Sequence, residues 1–68
     1  MEVIAETYDD WIATVSNLWL HRRTSERWGQ FLWNRMPNRF CNRVPRGFDP
    51  FYDDKNVENF LLWLKENW

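Results

Sequence analysis

The sequence predicts an all-α fold, a small three- to four-helix bundle with an irregular loop before the last helix. Apolar residues recur at helical spacing in three separate stretches. Prolines and aspartates stand between those stretches, where helices must stop or start. No stretch alternates with the period of two that marks a strand. The 68 residues suffice for one domain, residues 1–68, with one core.

The first helix is the clearest element. Ile4, Ala5, Tyr8, Trp11, Ile12, Val15, Leu18 and Trp19 share one face at about 100° per residue. Thr7-x-x-Asp10 has the form of a capping box, so the helix begins either near Val3 or just after Thr7. Arg22 and Arg23 suit the negative pole at its end. Thr24 and Ser25 offer the next N-cap, and the second helix is expected to run to about Met36. Its apolar face is Trp28, Phe31, Leu32 and Met36. Pro37 ends that helix or opens the next turn, from which Phe40 and Val44 would pack. Pro45-Arg46-Gly47 reads as a turn or loop, and Asp49-Pro50 favours extended backbone at residue 49. Asp53 or Asp54 is expected to cap the last helix, whose stripe is Val57, Phe60, Leu61, Leu64 and Trp68.

A domain this small exposes about 4,700 Å² and keeps a thin core. It needs additional stabilisation from rings, metals, disulfides or a partner chain. Cys41 is the only cysteine, so no disulfide forms within the chain, and a free thiol suits a reducing compartment. With one histidine and one cysteine, His21 and Cys41, a zinc site has too few ligands. Aromatic packing and oligomerisation remain. Rings make up 19% of the chain, too many for so thin a core, so some are expected at the surface or under a second chain. No segment has the roughly 18 apolar residues of a membrane span. The acidic N-terminus resembles neither a signal nor a transit peptide, which points to the cytoplasm.

Charge is unevenly distributed along the chain. Glu2, Glu6, Asp9 and Asp10 leave residues 1–20 at −4. Seven arginines against Glu26 put residues 21–46 at +6, and five acids against Lys55 and Lys65 put residues 47–68 at −3. Such a pattern either neutralises itself in the fold or makes one basic and one acidic face.

The residues of enzyme chemistry do not assemble into a motif. Gly29 and Gly47 are the only glycines, so no glycine-rich phosphate loop exists. A hydrolytic triad would have to use His21, which no neighbouring motif activates. Asp49, Asp53 and Asp54 lack the spacing and central glycine of a calcium loop. No catalytic residue, cofactor or metal is therefore expected.

The suggestive features are apolar residues that miss their stripes and arginines spaced by four. Trp33 lies about 140° round from Trp28, and Leu62 about 140° from Val57. Trp63 sits on the edge of its stripe, and Leu20 is off the first one. Trp33, Leu62 and Trp63 are the expected apolar anchors for a partner. Arg35, Arg39 and Arg43 would form one stripe if helix continued past Pro37, and they are the expected charged rim. Arginine grips carboxylates and phosphates with two donors and stacks on rings.

Arg27-Trp28-Gly29-Gln30-Phe31-Leu32-Trp33-Asn34, followed by Asp49-Pro50-Phe51-Tyr52-Asp53-Asp54 and a helix ending in Trp68, resembles a group of small bacteriophage and prophage proteins. Those share a Gly-Gln-x-x-x-Asn helix and an Asp-Pro-Phe-Tyr-Asp-Asp turn before a last amphipathic helix. The likeness covers roughly residues 27–68 and rests most on the six-residue turn. It implies a phage product acting in a bacterial cytoplasm and transfers no functional residue. The motif also has a purely structural reading. Gly29 admits a close neighbour, and Gln30 and Asn34 bond each other or a loop. Asp49-Pro50 sets the turn, and Phe51 and Tyr52 dock it on the core.

The leading expectation is a non-catalytic protein-binding module, a phage inhibitor of a bacterial host or defence protein. A homodimer through the same off-stripe residues is the accompanying expectation. The alternatives are a nucleic-acid-binding module using the arginine and aromatic residues, or a structural phage subunit. A sequence pI near 5.7 weighs against nucleic acid.

Overall fold

The computed structural model describes residues 1–68 and contains three α-helices, with three 3₁₀ turns between the second and the third and no strand. Helix α1 spans Tyr8–Leu20, α2 spans Trp28–Arg35 and α3 spans Val57–Asn67. Single 3₁₀ turns occupy Asn38–Phe40, Arg46–Phe48 and Asp54–Asn56. No helix is long and apolar enough to cross a membrane. The molecule measures 29 × 27 × 18 Å and exposes 4755 Å², close to what its mass implies.

Thr7 decides where α1 begins. Its Oγ1 accepts the Asp10 N–H at 3.1 Å, which selects the later of the two starts. Residues 1–6 are therefore an extended arm, and Ile4 leaves the apolar stripe to stand 85% exposed. The arm closes the end of α2. The Val3 N–H donates to the Arg35 carbonyl at 2.9 Å, and the Trp11 indole N–H donates to the same oxygen at 3.0 Å. A helix end leaves its last carbonyls without partners; these two donors satisfy that of Arg35, and the Met1 ammonium donates to that of Asn34 at 3.0 Å.

Helix α2 starts later than the hydroxyls of Thr24 and Ser25 suggested. Thr24 Oγ1 instead accepts from the Glu26 N–H and makes a local turn. The first turn of α2 is held by Gln30, whose Oε1 accepts the Arg27 N–H at 3.0 Å. Met36 has extended backbone, as a residue before proline prefers, and α2 ends there. Arg35, Arg39 and Arg43 therefore do not share one helical stripe.

Eight residues form the core: Trp11 and Val15 from α1, Phe31, Leu32 and Met36 from α2 and its end, Phe40 from the first 3₁₀ turn, and Phe60 and Leu64 from α3. No tryptophan is exposed. Trp11 is buried, and Trp19, Trp28, Trp33, Trp63 and Trp68 pack against the core's edge. Large rings thus extend a thin core outward instead of standing free of it. Tyr52 is the exception. It was expected to dock on the core, but it is 81% exposed, while Phe51 beside it is half-buried.

Gly29 forms the seam between α2 and the loop. A Cβ at this position would lie 2.6 Å from Asp54 Oδ1 and closer still to the Pro50 carbonyl oxygen. Its φ is not positive, so the requirement is for space and not for backbone freedom. The Gly29 N–H donates to Asp54 Oδ1 at 3.0 Å. Arg27 donates to the Phe51 carbonyl at 2.6 Å and lies 3.4 Å from Asp54. The two aspartates left open as caps are thereby separated. Asp53 accepts from the Lys55 N–H and caps the 3₁₀ turn leading into α3, while Asp54 reaches back to α2. Asp49 Oδ1 accepts from the Phe51 N–H, and its carbonyl accepts from the Asn56 side chain, so the loop is bonded along its length.

Candidate functional site

Three of the six residues singled out by pattern come together around Phe40. The short turn that carries Phe40 is fixed from two sides. The Glu2 carboxylate accepts from the Asn38 N–H at 2.8 Å and from its side chain at 3.2 Å. The Phe40 carbonyl accepts from the Arg43 and Val44 N–H groups at 2.9 and 3.3 Å. The ring of Phe40 is fully buried. Trp63 meets it edge-on at 5.6 Å, and Trp68 lies tilted at 5.5 Å. The Arg39 guanidinium sits 4.5 Å from the Phe40 centroid and 4.7 Å from that of Trp68. The Arg43 guanidinium sits 5.6 Å from Phe40. The two cations are part of what covers the ring.

Trp68 is itself held in place. Its indole N–H donates to the Glu6 carbonyl at 2.9 Å, and its ring meets Tyr8 edge-on at 6.2 Å. Burial pushes the Tyr8 hydroxyl above its ordinary range, and the neighbouring Asp9 carboxylate adds to the effect. The result is a face of two arginines and two tryptophans on a fixed aromatic floor. Neither Arg39 nor Arg43 has a carboxylate within ion-pairing distance, and neither guanidinium donates a hydrogen bond within the chain. Each retains five donors for a partner.

Trp33, Leu62 and Arg35 lie elsewhere. Trp33 is half-buried with its ring 5.9 Å from Phe60. Leu62 is 53% exposed, and its neighbours one turn away on α3 are Glu58, Asn59, Lys65 and Glu66. Arg35 does not form a rim. Its side chain is 18% exposed, lies 3.6 Å over the Phe31 ring, donates to the Phe31 carbonyl and pairs with Glu26 at 3.3 Å. Asn34 donates to the same Glu26 carboxylate at 2.5 Å. That bond, followed by smaller contributions from Thr24 and Arg35, holds Glu26 below the ordinary carboxylate range against a desolvation cost.

The sequence placed Trp68 on the α3 stripe but gave no sign that Arg39 would lie over it. The two residues are brought together by the break at Pro37, which turns the chain back across the end of α3. The His21 side chain makes no hydrogen bond, Cys41 is exposed, and no three His, Cys, Asp or Glu side chains form a cluster suited to a metal ion. No protein-family model, curated protein or solved structure matches the chain.

Proposed function

We propose that this chain is a non-catalytic protein-binding domain that engages its partner through Arg39, Arg43, Trp63 and Trp68. The reading rests on one observation. Two arginines are held over buried and half-buried rings with no carboxylate of their own. Arg and Trp dominate binding energy at interfaces, because each offers directional donors or a large apolar area at low ordering cost. A guanidinium already resting on a ring loses less freedom on binding than a free one. The complementary surface carries carboxylates beside apolar groups.

The resemblance to small phage proteins gives this reading a setting, an inhibitor acting on a bacterial host or defence protein in the cytoplasm. Nucleic acid is weaker as a partner, because Arg27 and Arg35 of the basic segment are paired with Asp54 and Glu26. The test is a tagged pull-down from nuclease-treated bacterial lysate, with the wild-type chain beside an Arg39→Ala, Arg43→Ala double variant. A protein retained by the wild type and lost from the double variant supports the proposal. Equal retention by both removes this face from the interface. Material lost on nuclease treatment, with binding that falls steeply in salt, would move the assignment to nucleic acid. Sizing by light scattering distinguishes a homodimer through the same face, which the double variant would dissociate.

A further inference from the structure

A second basic site lies where α1 ends, and it uses different arginines. Arg22 rests 3.6 Å above the Trp19 ring, with Nη1 donating to the Trp19 carbonyl at 2.8 Å. Arg35 rests 3.6 Å above the Phe31 ring, with Nη1 donating to the Phe31 carbonyl at 3.2 Å. The two rings meet edge-to-face at 5.1 Å, so the two guanidinium groups are held on adjoining supports. Both are anchored through Nη1 alone, and the Nε and Nη2 donors bond to nothing in the chain. Both arginines line an open cleft of about 400 Å³ that His21, Arg23 and Thr24 also border, with Met1, Leu18 and Phe31 as its apolar residues. No acidic residue lines it.

We propose that this cleft binds a small phosphate monoester of about the size of a nucleoside monophosphate. Charge selects the phosphate. Glu26 offsets Arg35, while Arg22, Arg23 and the Met1 ammonium have no carboxylate partner, which leaves the cleft with net positive charge for a dianion. Geometry supports it as well, since guanidinium forks match phosphate oxygens two at a time. The volume, within the range of small-molecule sites, leaves space beyond the phosphate. Leu18, 43% exposed, and the exposed Met1 side chain give an apolar or planar body a surface to lie on. The negative pole of α1 opposes an anion, but two of its last carbonyls are already bonded. Leu18 O accepts the His21 N–H, and Trp19 O accepts the Arg22 N–H and side chain.

The test is a heteronuclear NMR titration of the full chain with adenosine monophosphate at constant ionic strength. Saturable shifts confined to residues 18–24 and 31–35 are expected, with inorganic phosphate competing and adenosine producing none. Arg23 makes no hydrogen bond or ion pair and can be changed without disturbing the fold. Arg23→Ala should weaken binding about tenfold, and Arg46→Ala, outside the cleft, should leave it unchanged. No saturation into the millimolar range, equal binding of adenosine, or shifts spread evenly over every arginine would overturn the proposal. Neither Arg39 nor Arg43 lines the cleft, so its failure would leave the protein-binding face standing.

Discussion

Arg27 and Arg39 carry the same side chain into opposite surroundings. At the seam between α2 and the 49–54 loop, Arg27 meets Asp54 and the Phe51 carbonyl, and the Gly29 N–H donates to the same Asp54 carboxylate. At the face around Phe40, Arg39 and Arg43 meet only rings. Internal pairing fixes a loop in one place, whereas a cation on a ring is positioned without being neutralised. The seam is accordingly where substitutions should unfold the chain, and the Phe40 face is where they should change binding and leave the fold intact.

The largest effect is expected at Gly29. An alanine there would press on the Pro50 carbonyl and Asp54 together, and one of these is backbone, which cannot simply rotate away. Overpacking and a strained hydrogen bond together destabilise by about 2–3 kcal/mol. In a domain of this size that lowers Tm by at least about 10 °C, readable by circular dichroism. An unchanged Tm would mean that the loop is not docked as described. Asp54→Ala comes next, at about 1–2 kcal/mol, because it leaves the Gly29 N–H without its acceptor and Arg27 without its partner. Asp54→Asn keeps a carbonyl oxygen for the Gly29 N–H and should lose less.

Glu26 tests the seam idea elsewhere on α2. Its carboxylate is held below the ordinary range, first by Asn34 and further by Thr24 and Arg35. The unfolded chain therefore binds this proton at a higher pH than the folded chain does. The stabilisation is present above the unfolded value and is lost as pH falls through the lowered one. Acid unfolding of the wild type should show this loss, and Glu26→Gln should flatten that part of the profile. At neutral pH the variant should cost up to about 1 kcal/mol, as for a partly exposed pair.

Much of the fold was legible because helical spacing and proline act locally. The three helices and the stop at Pro37 follow from neighbours in sequence, whereas the need for a small residue at Gly29 comes from Pro50 and Asp54, distant along the chain. The start of α2 was missed because Gln30 accepts the Arg27 N–H from within the helix, while the Thr24 hydroxyl is diverted to Glu26. The arginines were legible as a group but not in their roles. Whether an arginine is paired depends on long-range placement, Arg27 on Asp54 and Arg39 on Trp68, and no local pattern encodes that. Trp33 was marked by its angle from Trp28 alone. A second layer of core, with its ring against Phe60, accounts for that angle without an interface.

The smallest effects on stability belong to the Phe40 face and to Leu62. Arg39→Ala and Arg43→Ala each remove a cation–ring contact and no ion pair, so each should change stability by about 0.5 kcal/mol while reducing capture of the partner. Leu62→Ser should change stability least of all, since the side chain is half exposed and surrounded by polar neighbours on α3. Its effect on binding then defines the edge of the interface. With the partner protein in hand, calorimetric titration of the Leu62→Ser and Arg39→Ala variants compares the two directly. If only Arg39→Ala weakens binding, the partner contacts the Phe40 face and stops short of the outer side of α3. A comparable loss from Leu62→Ser extends the interface along α3 to include it. If neither weakens binding, the unpaired arginines have no role in recognition, and the distinction between the two regions concerns stability alone.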